Sequence, residues 1–187
     1  MTGPVRDPSD VAWPVATAAR DHMKARLHHA IGGPPAVCCI VPGRDVAADD
    51  CCIGQAWVRV ARTFRTTVDD FPSPTQSTLD ETCAGSGWWA VELGLGTIRC
   101  APTVDDHGNP PTAAELEHAA RIEADDRGRL HHTVLCGLAS VAADLWIGDW
   151  LPVGPSGGCV GGELTTIVLV ETPCACPDHT TNPGEVP

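Results

Sequence analysis

Three kinds of chemistry-bearing residue stand out in this chain: one serine in a glycine-rich run, eight histidines and ten cysteines. The run is LPVGPSGGCVGGEL, residues 151–164, in which Gly154-Pro155-Ser156-Gly157-Gly158 satisfies G-x-S-x-G. That pattern presents a nucleophilic serine when a strand leads into the turn and a helix leaves it. The segment leaving this turn is CVGGELTTIVLVE, rich in β-branched residues and expected to be a strand. A serine protease of the trypsin kind would be all-β, with its base histidine early in the chain, and Pro155 replaces the acidic residue that precedes its serine. The available bases are His22, His28, His29, His107, His118, His131, His132 and His179, most of them in helical surroundings. Residues 154–162 therefore read as a hairpin turn. Proline suits its first corner, and the glycines permit a bulge or a close backbone contact. No catalytic residue is expected.

The cysteines stand at 38, 39, 51, 52, 83, 100, 136, 159, 174 and 176, with two adjacent pairs and no C-x-x-C. Structural zinc sites use that missing spacing. Adjacent side chains in a strand also point to opposite faces. Buried thiols, some of them oxidised later, are expected, and no metal ligand is assigned. No P-loop, dinucleotide fingerprint, H-E-x-x-H or EF-hand loop is present, so no cofactor is expected. The acidic pairs at 49–50, 69–70, 105–106 and 125–126 read as solvated surface.

Twenty-four acidic residues face twelve basic ones, with Lys24 the single lysine, for a net charge of −12. A surface that grips phosphates needs the opposite sign. The opening residues MTGPVRDPSD lack an apolar signal segment, and no run is long enough to cross a membrane, so folding in a cytosol and no membrane partner are expected.

These residues must be carried by elements. Residues 10–31 read as an amphipathic helix capped by Asp10, with Val11, Val15, Ala19, Met23, Leu27 and Ile31 inward and Gly32-Gly33-Pro34-Pro35 as the stop. Strands come next at 36–41, 54–65 and 87–100, the last with Trp89, Val91, Leu93 and Leu95 on one face. A long polar loop, 66–86, interrupts them. Thr112-Ala113-Ala114-Glu115 is a capping box. It opens a helix of roughly 25–30 residues, with Leu116, Ala119, Ala120, Leu130, Val134, Leu138 and Val141 on its apolar side. Strands at 145–153 and 159–171 end a domain of residues 1–172, and 173–187 form a proline-rich tail. The expected fold is α+β: a mostly antiparallel sheet of four to five strands flanked by two helices, in the order α-β-β-β-α-β-β. Successive strands without helical crossovers imply antiparallel pairing.

CCIGQAWVRV, the FPSP loop, GLGTIRCAPT together with PPTAAELEHAA, and GDWLPVGPSGGCVGGELTTIVLV resemble the head-to-tail connection proteins of long-tailed actinobacterial phages. Within that group the chain is most similar to the tail terminators, over about residues 10–172. The resemblance implies a non-enzymatic virion protein of the tail or neck, assembled in the host cytoplasm as a homo-oligomeric, commonly hexameric ring. Such a ring caps the tube of major tail protein, ends its polymerisation and meets the head-tail stopper or connector. Genomic DNA passes its lumen without sequence-specific binding, for which the acidic balance is suited. The head-tail stopper is the neighbouring alternative, and a hydrolase using Ser156 the more distant one.

Overall fold

The structure, a computed structural model, describes residues 10–43, 46, 50–75 and 86–173. Residues 76–85 of the polar loop, the tail beyond Pro173, and Cys83, Cys174, Cys176 and His179 lie outside the described residues. The elements run α1 (Ala12–Leu27), β1 (Val37–Val41), a 3₁₀ turn (Cys51–Ile53), β2 (Gln55–Thr66), β3 (Ser86–Cys100), α2 (Ala113–His132), a π turn (Thr133–Gly137), β4 (Asp144–Ser156) and β5 (Cys159–Pro173). The α+β class and the expected element order both hold.

The five strands form one sheet in the order β1-β2-β3-β5-β4. β2–β3, β3–β5 and β4–β5 are antiparallel, as expected. β1–β2 is parallel, with Val37 opposite Gln55, so the sheet is mixed and the rule applied to successive strands fails there. The physical reason is the connection: residues 42–54 are long enough to carry the chain back to the end of β1 where it started.

Both helices and the π turn cover one face of the sheet. Val15, Ala19, Met23 and Leu27 of α1 and Leu130, Val134 and Leu138 beyond them meet Val58, Val91, Leu93, Leu95, Leu164 and Val168. Nearly all are fully buried, and each such side chain contributes about 1.5–3 kcal/mol through removal from water. The expected face of β3 is therefore the true one.

Helix limits depart from expectation in three ways. α1 begins after Val11 with no side-chain cap, so Asp10 does not cap it, and Ile31 is 58% exposed beyond its end. The capping box is present: the Thr112 hydroxyl accepts from the Glu115 N–H, and the Glu115 carboxylate accepts from the Thr112 N–H at 2.8 Å. These bonds hold the Glu115 carboxyl below its ordinary value. The first two turns of α2 nevertheless stand clear of the sheet, leaving Leu116 exposed rather than inward.

Asp126, expected on the polar side, is instead buried. It accepts from Arg99 Nε at 2.9 Å and Nη2 at 3.1 Å, while Arg99 Nη1 donates to the Gly32 carbonyl. Beside it Asp125 accepts from the Ile31 N–H and Arg129 Nε, each at 2.8 Å. Burial opposes the charged form of Asp125, but those bonds win and hold its carboxyl below the ordinary range. Together they bolt the end of α1 to the middle of α2.

Candidate subunit-contact surface

Among the described residues the second face of the sheet carries neither α1 nor α2, and the 3₁₀ turn covers one end of it, where Cys51 packs with Trp57 and Ile98. In an antiparallel pair, directly opposed residues share a face, and every second residue returns to it. Trp146 opposite Ile167, Leu151 opposite Glu163 and Val153 opposite Gly161 therefore lie on this open face with Glu92 and Arg62. Its centre is held by directional contacts. Glu163 accepts from Trp57 Nε1 at 2.9 Å and from Arg59 through Nε at 2.8 Å and through Nη2. Arg62 pairs with Glu92 and lies over the Phe64 ring. Arg59 is thus an inner member of a half-buried ion pair.

Gly94 and Gly96 mark close packing: a side-chain carbon at Gly94 would run into the Glu163 carboxylate, and one at Gly96 into the Trp57 ring. Along the outer strand β4 the same face begins with Asp144 and presents three apolar side chains, Trp146 41%, Leu151 59% and Val153 40% exposed. β4 is also a sheet edge, as β1 is on the opposite flank. Edges with free backbone groups are usual sites of strand addition by another chain.

Ser156 is the last residue of β4, exposed, and joined to β5 by the turn Gly157-Gly158. Both turn glycines have positive φ, as a two-residue hairpin turn requires. The element after the serine is a strand, so the elbow geometry is absent from this position. Gly161 and Gly162 serve close approaches within the chain: a side chain at 161 would strike the β3 backbone beside Ile98 Cα, and one at 162 the Trp150 ring. They are structural. The described histidines His22, His118, His131 and His132 lie on helices, His28 and His29 stack just beyond α1, and His107 sits in the connection before α2.

One groove of about 460 Å³ brings together Asp21, Lys24, His28 and Cys38, with Pro34 and Pro35 as its wall. Burial, with the neighbouring Cys39 as the next cause, pushes the Cys38 thiol up to about 11, so it stays protonated at neutral pH and is no nucleophile. Four cysteines are oxidised, in line with the expectation that some would be: Cys51 is bonded to Cys159 and Cys52 to Cys100. Cys38 and Cys39 are half-buried free thiols, and Cys136 is an exposed one.

No helix among the described residues is long and apolar enough to cross a membrane. No protein-family model matches the chain, and no curated protein matches it. The contact surface could be sensed in the sequence only as tryptophans on strands. Its exposed members depend on β4 being an edge, which periodicity does not reveal.

Proposed function

We propose that this chain is a ring-forming virion subunit of the tail-terminator kind, present at the junction of tail and head. The observation that carries the reading is the pairing of a sheet edge, β4, with an exposed apolar stripe of Trp146, Leu151 and Val153. The other edge among the described residues, β1, lies on the opposite flank. Two different edges suit a head-to-tail contact, and such contacts close into rings when the rotation between neighbours permits.

The net charge of −12 adds support, because an acidic lumen repels phosphates and lets DNA slide. In this reading the ring is a homo-oligomer, commonly a hexamer. Its partners are the major tail protein on one side and the head-tail stopper or connector on the other, and it performs no catalysis.

Light scattering of the purified chain, alone and with tubes of major tail protein, tests the proposal. A six-subunit mass, or a monomer that assembles only at tube ends, is the expected outcome. A monomer that ignores tube ends refutes it, and one that associates only with the head-completion complex transfers the chain to the stopper role.

A further inference from the structure

Cys51 and Cys52 lie on the 3₁₀ turn, Cys100 closes β3 and Cys159 opens β5. Cys100 and Cys159 are directly opposed in the β3–β5 register, so their side chains leave the sheet on the same face. The 3₁₀ turn lies over that face, since Cys51 packs with Trp57 and Ile98. An adjacent pair thus meets a cross-strand pair. The four sulfurs form a closed set of neighbours: 51 beside 52, 52 bonded to 100, 100 opposite 159, and 159 bonded to 51.

The backbones that carry them are fixed without help from the sulfurs. The Ala101 N–H donates to the Gly158 carbonyl at 2.7 Å, tying the ends of β3 and β5. The Cys52 N–H donates to Asp50 Oδ1 at 3.1 Å, and the Gly54 N–H to the Cys51 carbonyl at 3.0 Å. With the S–S bonds opened, four thiols would remain gathered at one end of the sheet. Cys51, 5% exposed, would sit on the apolar side of the group.

Four thiolates at one point suit a borderline-soft divalent cation of zinc type, which takes a tetrahedral Cys₄ set with metal–sulfur distances of about 2.3 Å. That geometry separates the sulfurs by about 3.8 Å, a spreading that side-chain rotation supplies. In the structure no group of three or more His, Cys, Asp or Glu side chains among the described residues is placed to hold a metal, and these four sulfurs are joined in pairs. The site exists only in the reduced protein.

We propose that Cys51, Cys52, Cys100 and Cys159 form a tetrathiolate site for one Zn²⁺, of which the two disulfides are the oxidised, metal-free form. The interconversion balances. Two equivalents of a dithiol give four electrons and four protons to the two S–S bonds and leave as two cyclic disulfides. Zn²⁺ then replaces the four thiol protons. The proposal is independent of the ring function, because it concerns the isolated chain.

The test is metal analysis of the full chain after reduction with a dithiol and dialysis against Zn²⁺, with Co²⁺ as spectroscopic probe. One Zn²⁺ per chain, about four protons released, and the intense visible absorption of four-coordinate cobalt–thiolate are expected. The triple variant Cys38→Ser/Cys39→Ser/Cys136→Ser keeps all three signals, and Cys52→Ser/Cys100→Ser loses them. Reduced protein that takes no metal, six-coordinate Co²⁺, or full binding by Cys52→Ser/Cys100→Ser overturns the proposal. Should the double variant not fold, the triple variant and the cobalt spectrum of the unaltered chain decide alone.

Discussion

The two faces of the sheet are built on different physics. Under the helices, Leu93, Leu95, Val91 and Leu164 are wholly buried in one apolar cluster. On the open face Trp57, Arg59 and Glu163 are fixed by hydrogen bonds and charge, and Trp146, Leu151 and Val153 touch solvent. Apolar packing is non-directional and tolerates no vacancy, whereas directional contacts hold a surface in shape while leaving it accessible. The closed face carries the larger core, and the second face combines a smaller one around Trp57 and Ile98 with the exposed stripe on β4.

Substitutions on each face can break or sharpen that contrast. The largest effect is expected from Leu93→Ala, which leaves a cavity between sheet and helices and costs about 2–5 kcal/mol, read as a lowered denaturant midpoint. Next is Glu163→Gln, which strips the countercharge from Arg59 and weakens the bond from Trp57. A loss of about 1.5–3 kcal/mol is expected in the same measurement, since this pair is only partly solvated. The smallest effect on stability belongs to Leu151→Ser, within about 0.5 kcal/mol, because the side chain is already mostly in water. That variant should nonetheless lower the associated mass in light scattering. If Leu151→Ser instead costs as much as Leu93→Ala, the two faces do not differ in the way described.

Much of the closed face was legible in the sequence. The alternation Trp89-Val91-Leu93-Leu95, the four-residue spacing Val15-Ala19-Met23-Leu27 and the capping box at Thr112 each arise from local periodicity or local hydrogen bonding. What local pattern could not supply was long-range pairing. β1 runs parallel to β2 because of a connection whose path no short window encodes. Asp126 resembled every other acid on α2 until Arg99, on a distant strand, was brought beneath it. Cys51, Cys52, Cys100 and Cys159 carry no recognisable spacing, because register assembles them and sequence distance does not. A signal was nonetheless present: an adjacent cysteine pair, with one further cysteine at the end of an expected strand and another at the start of the last expected strand.

The central seam between β3 and β5 has a kinetic consequence. Everything before Cys100 can form α1 and the three strands β1–β3, and everything after Pro110 can form α2 and the local hairpin β4–β5. Neither half completes its apolar layer alone, since Leu93 and Leu95 need Leu164 and Val168 beside them. The sheet closes only when the two halves zip along β3–β5, fifteen residue pairs from Ser86–Pro173 to Cys100–Cys159. Contacts so distant along the chain form late, after the loop-closure entropy has been overcome. The rate of reaching the native state is then governed by this one docking event rather than by the helices or the hairpin.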